Sequence, residues 1–247
     1  MIKLRNVLKG ALFELVSMRL YWPYLLIINI LLPFSYFMIV LLSAYNSPGV
    51  LQRTLIGFLV ISSFSILIYT IAHRIGNLFE DDILELAASL PITFHELILS
   101  YILSYVLYSL PITLILIITL AITTSIPRPL LMMAGLLFMY TIDILSGVII
   151  GLLVRNIRKL DPLLQVLVFL AVILTPAFYE IPSDIYIILL MNPLTHVIVL
   201  LKASINIVTT IPLTLSLIYL MILVSLSVIF VLLYFGKKPL FTIIEKK

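Results

Sequence analysis

The sequence contains no cysteine and very little charge. Without cysteine, the 247-residue chain has no disulfide bonds, no thiolate nucleophile and no cysteine-ligated metal. Charged residues make up only 11% of it, less than half the share that is typical of a soluble domain. The histidines, His73, His95 and His196, are too scattered to predict a metal site. The low charge argues against a surface that is exposed to water. The lack of cysteine and of clustered histidines argues against the commonest metal centres.

Apolar residues fill the sequence instead. They account for 63% of the chain, with a mean hydropathy of +1.29. Many stand in runs of about 20 residues, the length that a helix needs to cross a bilayer. The runs do not alternate with polar residues, as the strands of a membrane barrel would. The sequence therefore predicts an all-α membrane protein, with residues 1–247 forming a single transmembrane domain in the lipid bilayer and no binding to nucleic acid.

The first residues, 1–22, have the pattern of an amphipathic helix. One face carries Leu4, Leu8 and Ala11 at helical spacing, and the other carries polar residues that include Glu14. This pattern predicts an N-terminal interfacial helix that lies at the membrane surface. Six transmembrane helices are then predicted, over residues 24–45, 54–74, 97–124, 130–154, 161–181 and 211–235.

The stretch 183–204 is apolar enough to span, but Asn192-Pro193 interrupts it in the middle. The distribution of basic residues decides between six and seven spans. With six spans, only Arg53, Arg128 and Lys202 of the 15 basic residues lie outside. A seventh span would weaken this asymmetry. We therefore predict both termini in the cytosol and a re-entrant helical hairpin on the outer side before the last span.

The longest hydrophilic stretch of the chain is 73–96. It contains five of the 11 acidic residues, and a short helix is predicted over 79–90, which Pro91 ends. Charge alone favours a solvated loop, and the alternative is a docking element for a basic partner. The acidic residues are Glu80, Asp81, Asp82, Glu85 and Glu96.

Two stretches of the sequence resemble the permease subunits of type-2 ABC exporters. The first is DILELAASLPITFHELILS (82–100) and the second is NPLTHVIVLLKASI (192–205). The order of elements, with a leading helix, six spans and an outer hairpin, is similar too. The matching residues are Leu84, Glu85, Leu86 and Pro91 in the first stretch, and Asn192, Pro193, Leu194 and Thr195 in the second; Asp82, His196, Val199 and Lys202 depart from the family pattern.

The resemblance implies a function in ATP-driven export. It implies that 76–96 is a coupling segment, that a second permease chain completes the pathway, and that separate cytosolic ABC ATPase subunits bind ATP and Mg. It also implies the cytoplasmic membrane of a prokaryote. The chain itself has no nucleotide-binding loop and no predicted cofactor or catalytic residue, so it is not predicted to be an enzyme. The expected coupling residues are Glu80, Asp81, Asp82, Leu84, Glu85, Leu86 and Pro91.

Asp143 is the one carboxylate well inside a predicted span. It shares a helix face with Gly147 and Gly151, and its cost in lipid predicts that it faces protein or water. A hydrogen bond to a neighbouring helix and a contact with a cation or substrate are equally good explanations. Tyr101, Tyr105 and Tyr108 form a hydroxyl-bearing face for which helix packing is favoured over a pathway lining.

Two other classes of protein stay open. An ATPase-independent secondary transporter would show internal repeats and helix breaks near the middle of the membrane, and neither is evident. An intramembrane enzyme would need several catalytic groups within the spans, where only Asp143 is present.

Overall fold

The computed structural model describes residues 3–19, 48–80, 92–176 and 186–237, together with residues 38, 83, 85 and 179. Regular secondary structure in these residues is entirely helical. Most of the predicted span 24–45 lies outside the described residues, as do residues 20–22 and 183–185 and the predicted coupling residues Asp81, Asp82, Leu84, Leu86 and Pro91. The helices are α1 (Leu4–Met18), α2 (Pro48–Asn77), α3 (Phe94–Thr123), α4 (Pro129–Val154), α5 (Ile157–Leu174), α6 (Tyr186–Met191), α7 (Pro193–Ser204) and α8 (Leu213–Lys237).

Four of these helices, α2, α3, α4 and α8, are long and apolar enough to cross a membrane. They coincide with four of the six predicted spans, and they give the chain the character of an all-α, multi-pass membrane protein. The α2 and α3 helices have 30 residues each. At 1.5 Å per residue they are about 45 Å long, so their ends project beyond a hydrocarbon core of about 30 Å.

The α5 helix covers only part of the predicted span 161–181. Its 18 residues begin with Arg158, Lys159 and Asp161 in the first turns, so its apolar part is too short to count among the candidate spans. Of residues 177–185, the structure describes only residue 179. The first and the fifth predicted spans therefore stay predictions, and the described residues account for the other four spans.

The centre of the bundle is α2. Its apolar side chains are almost completely buried, and it contacts α3, α4, α5 and α7. The most extensive helix pair is α2 with α4. The core therefore lies around α2, whereas α3, α4 and α8 keep apolar side chains on their outer faces, where lipid would surround them.

The α1 helix packs on α3 with a face that combines residues from both predicted faces. The structure buries Val7, Ala11 and Glu14 against the bundle, while Leu4 and Leu8 are exposed. Periodicity alone indicates two faces but not which of them the protein covers. Glu14 has a charged partner inside the bundle, Arg74, and this pairing explains why the Glu14 carboxylate turns inward. Placement of α1 at the membrane surface stays a prediction.

The predicted hairpin 183–204 is broken where the sequence indicates. The α6 helix ends at Met191 and α7 begins at Pro193, with Asn192 as its N-cap. The Asn192 side chain accepts a hydrogen bond from Leu194 N at 3.1 Å, and Pro193 occupies the first helical position, where its missing N–H costs nothing. Nearly all of α7 is buried between α4, α8 and α2.

Candidate functional site

Asp143 lies in the contact between α4 and α2 and is completely buried. The Ser63 hydroxyl of α2 donates a hydrogen bond to Asp143 Oδ2 at 2.7 Å. Among the described residues, Oδ1 has no hydrogen-bond partner. The side chain thus faces protein, and a hydrogen bond from a neighbouring helix satisfies one of its two carboxyl oxygens.

Gly147 and Gly151 continue the same face of α4 and let α2 come close. A Cβ atom added at Gly147 would lie 3.0 Å from Ile71 Cβ, and one at Gly151 would lie 2.8 Å from the backbone oxygen of Ala72. Only glycine fits such a separation without moving a helix. The Asp143 face is therefore the packing surface of the largest helix pair in the described structure.

The hydroxyl face of α3 contacts α1. Ser100 Oγ donates to Val7 O at 3.0 Å, and Ser104 Oγ donates to Ala11 O at 3.1 Å. Each of these pairs is separated by 93 residues in sequence, so the two helices run parallel and in constant register. A Cβ at Gly10 would lie 2.5 Å from Ser100 Oγ, which shows how closely the backbones approach.

An ion pair between the buried Glu14 and the half-buried Arg74 joins α1 to the end of α2. Arg74 Nη2 donates to Glu14 Oε2 at 2.8 Å, and the Tyr105 hydroxyl donates to Glu14 Oε1 at 3.2 Å. The Arg74 guanidinium lies over the Tyr101 ring, 5.1 Å from its centroid. Tyr101 and Tyr105 therefore belong to the anchoring of α1, while Tyr108 is half-buried against the same core cluster.

Glu96 ties together the N-termini of α1 and α3. Its Oε1 atom accepts from the Lys3 backbone N–H at 2.6 Å, and its Oε2 atom accepts from Thr93 N at 3.0 Å and from Asn6 Nδ2 at 3.2 Å. Thr93 and Glu96 thereby form a capping box that starts α3. One carboxylate thus occupies two helix N-termini, where negative charge is stabilising.

The segment 76–96 is held at its beginning by aromatic contacts. Phe79 packs edge-on against Phe94 with ring centroids 6.3 Å apart, and the Arg155 guanidinium lies 5.0 Å from the Phe79 centroid. Arg155 also donates a hydrogen bond to the Tyr234 hydroxyl of α8. Glu80 and Glu85 are exposed, and Ile83 and Glu85 have helical backbone. The ends of α2, α3, α4 and α8 meet here.

The break before α7 is fixed by side chains from its neighbours. Asn192 Nδ2 donates to Thr175 Oγ1 at 2.9 Å. His196 is fully buried: its Nδ1 lies 3.1 Å from Ser216 Oγ, its Nε2 lies 2.8 Å from Leu190 O, and its ring stacks on Tyr219. Thr195 is also buried, and within the described residues its hydroxyl has no partner.

Several of these residues were not predicted as site residues. Glu14 and Arg74 are each a charged residue within an apolar stretch of sequence. Such an isolated charge indicates that a partner lies elsewhere in the chain, but it does not indicate which residue the partner is. Ser63, His196 and Arg155 carry no such signal, because their partners lie on distant helices. Within the part of the chain that the structure describes, no three His, Asp or Glu residues come together in a way that would hold a metal ion.

No protein-family model matches the chain, and a search of curated proteins finds no similar sequence. The described helices give the chain its all-α, multi-pass membrane character.

Proposed function

We propose that this chain is the permease subunit of a type-2 ABC exporter, working as a dimer and driven by separate cytosolic ATPases. The observation that carries the proposal is the pair of resembling stretches, 82–100 and 192–205, in the order and spacing of the family. The second stretch coincides with a capped helix start at Asn192-Pro193, an arrangement that a simple spanning helix does not need.

The contacts around the cytosolic segment support a role in coupling. Phe79 packs against Arg155 at the end of α4, and Arg155 contacts Tyr234, so the segment is linked to α8 through Arg155. A force on the segment would reach four helix ends at once. The exposed acids Glu80 and Glu85 suit a basic rim on an ATPase, where charges mainly set the rate of encounter.

The proposed topology has six spans, both termini in the cytosol and the prokaryotic cytoplasmic membrane as its location. It can be tested with cysteines introduced at the exposed Lys9 and at Lys247, because the chain has none of its own. Neither should react with an impermeant thiol reagent in intact cells, and both should react after lysis. A cysteine at Arg128 should react in intact cells. Labelling of either terminus before lysis would contradict the topology.

The decisive experiment for the function is purification from the native host, followed by reconstitution with any ATPase that co-elutes. We expect Leu84→Asp to abolish transport-dependent ATP hydrolysis, because an apolar anchor would be lost from the docked helix. Joint reversal of Glu80, Asp81 and Asp82 to lysine should weaken association most at low salt, where screening is least.

Arg158→Glu is the matched control, because it reverses an exposed charge outside the segment. All variants should retain the wild-type folded yield. Normal hydrolysis and transport by both segment variants would contradict the coupling role. Transport by the purified chain without any ATPase would contradict the proposal as a whole and favour a secondary transporter.

A further inference from the structure

The Asp143 carboxyl group has no charged partner in the part of the chain that the structure describes. The side chain is completely buried, Ser63 Oγ donates to its Oδ2 atom at 2.7 Å, and its Oδ1 atom has no partner there. The nearest basic residue along its own helix is Arg155, which is about 18 Å away at the rise of an α-helix. A full negative charge on Asp143 would therefore stand alone.

The titratable groups on the helices around α4 do not bond to Asp143 either. The hydroxyl of Tyr140, one turn away on α4, is bonded to Thr113 of α3 at 2.7 Å, and both ring nitrogens of His196 have partners on other helices. None of the other described groups forms a hydrogen bond or an ion pair with the carboxyl group. These are Arg53, Tyr69, His73 and Arg74 on α2, His95, Glu96, Tyr101, Tyr105 and Tyr108 on α3, Arg155 on α4, Arg158, Lys159 and Asp161 on α5, Lys202 on α7, and Tyr219 and Tyr234 on α8.

The sequence also limits which other residues could neutralise Asp143. The stretches 20–47, 81–91 and 177–185 lie almost entirely outside the described residues, and they contain no Lys, Arg or His. The other basic side chains that the structure leaves undescribed are the four lysines of 237–247, which begin at the last residue of α8. No basic side chain within the apolar stretches can therefore serve as a counter-charge.

A proton suits this site better than a metal ion does. Calcium and magnesium take about six or more oxygen ligands. The carboxyl group has one neighbouring hydroxyl, that of Ser63, because the Ser62 hydroxyl is bonded to its own helix. A proton needs only one lone pair, and Oδ1 offers it. Gly147 and Gly151 hold α2 tightly against α4 on the same face, and bulk water does not reach the buried carboxyl group.

Protonation removes the charge that this contact cannot stabilise. An ionised carboxylate can accept about four hydrogen bonds, and here it accepts one. Burial of such a charge without a partner is unfavourable both in protein and in lipid. The neutral acid keeps the bond from Ser63 at Oδ2 and carries its proton on Oδ1.

We propose that Asp143 binds a proton while α2 and α4 are packed together and releases it when they separate. As water enters the contact, the O–H bond at Oδ1 breaks, the proton passes to a water molecule, and the carboxylate that remains is hydrated. Low pH then favours the packed contact, and high pH weakens it. The inference does not use the proposed transport function, so the two can fail separately.

Infrared spectroscopy of the full chain in detergent micelles detects the proton directly, because a neutral carboxylic acid has a carbonyl band that a carboxylate lacks. At neutral pH we expect one such band, which shifts when isotope-labelled aspartate is incorporated. Asp143→Asn should remove it, and Ser63→Ala should move it to higher frequency, because the carbonyl oxygen loses its hydrogen bond. Glu14→Gln is the matched control: Glu14 is also buried but is paired with Arg74, so its removal should leave the band in place.

The dependence of stability on pH gives a second test. If the folded chain holds one proton that the unfolded chain lacks, the unfolding constant of the wild type rises about tenfold for each pH unit. Asp143→Asn imitates the neutral acid, and the two chains share every other titratable group. The ratio of the wild-type unfolding constant to that of Asp143→Asn should therefore rise about 100-fold between about pH 6 and about pH 8, where an exposed aspartate is ionised throughout.

A wild-type spectrum without the band would overturn the proposal, because the carboxyl group would then be ionised in the packed contact. A ratio of unfolding constants that rises less than about fivefold over this range would also overturn it. A band that persists in Asp143→Asn would assign the proton to another acid, with the same consequence. If Asp143→Asn does not fold, the labelled wild type and Ser63→Ala decide, and an unshifted band in Ser63→Ala would contradict the site.

Discussion

The contact of α1 with α3 and the contact of α2 with α4 solve the same packing problem with different chemistry. In both, small residues let two backbones approach: Gly10 faces Ser100 in the first, and Gly151 faces the Ala72 carbonyl in the second. The first contact is closed at its ends by two carboxylates, Glu96 and Glu14. The second is apolar apart from one hydrogen bond, between Ser63 and Asp143.

The difference follows from where each contact lies along the helices. Glu96 lies in the first turn of α3 and Arg74 in the last turn of α2, near helix ends that project beyond the hydrocarbon core. The α2–α4 contact runs through the middle of the spans. An unpaired charge is energetically unfavourable there, and close packing of small residues holds the two helices together. Ionic anchoring belongs to the rim of this bundle and small-residue packing to its interior.

The largest expected effect is at the rim. Glu14→Gln would leave the Arg74 guanidinium without its carboxylate. Removal of one partner of a buried pair costs about 3–5 kcal/mol, and Arg74 is 32% exposed, so we expect a loss of about 2–4 kcal/mol in the free energy of unfolding. Denaturant titration in mixed micelles measures it.

The control is the double variant Glu14→Gln with Arg74→Gln. It removes both charges and should recover more than half of the stability lost in the single variant. Equal stability of Glu14→Gln and the wild type would show that the pair does not anchor α1.

Gly151→Ala tests the interior contact. The added methyl group would meet the backbone oxygen of Ala72 at 2.8 Å, and backbone cannot step aside as a flexible side chain can. We expect a net loss of about 1–2 kcal/mol, because the gain in helix propensity offsets part of the overpacking. Gly49→Ala is the matched control in open space and should be neutral or slightly stabilising. A neutral Gly151→Ala would mean that α2 and α4 have room to separate.

Ser63→Ala removes the hydroxyl that donates to Asp143. With that donor gone, a buried carboxyl group loses its hydrogen bond from α2, and we expect a cost of about 1–2 kcal/mol. Asp143→Asn keeps an oxygen that accepts the same bond and should cost less than about 1 kcal/mol. Thermal unfolding of the two variants measures the difference. If Asp143→Asn folds normally but stops transport, the residue serves the pathway as well as the packing.

The smallest effect is expected for Tyr105→Phe. It deletes one of the two hydrogen bonds to Glu14 and leaves the Arg74 bond in place. The expected cost is about 0.5–1 kcal/mol, measured beside Glu14→Gln under the same conditions. A loss as large as that of Glu14→Gln would assign the anchoring of Glu14 to the phenol instead of the guanidinium.

The helical class and four spans were predictable, because apolar runs of membrane length leave few alternatives. The helix break at Asn192 was predictable for a similar local reason: the proline has no N–H to donate, and the asparagine caps the helix that begins there. The fifth predicted span is less well supported, since the charges in its first turns shorten the apolar part of α5.

The orientation of α1 and the partners of Asp143 were not predictable from local sequence. Burial of Glu14 depends on Arg74, which is 60 residues away, and the Asp143 hydrogen bond depends on Ser63, which is 80 residues away. Amphipathic spacing shows that α1 has two faces, but in a membrane protein leucines can face lipid. Local spacing therefore does not show which residues of α1 contact the bundle: Val7, Ala11 and Met18 are buried, whereas Leu4 and Leu8 are exposed.

The parallel register of α1 and α3 also fixes an order of events during synthesis. Ala11 cannot meet Ser104 until 93 further residues have been added, which takes roughly 5–20 s at the usual rate of translation. Arg74 follows Glu14 by 60 residues, so for about the first two thirds of that interval Glu14 has neither the guanidinium nor the Tyr105 hydroxyl and must be solvated by water or lipid head groups. The α1 helix is therefore synthesised well before the partners that fix it, and it can reach its final place only after α3 has formed.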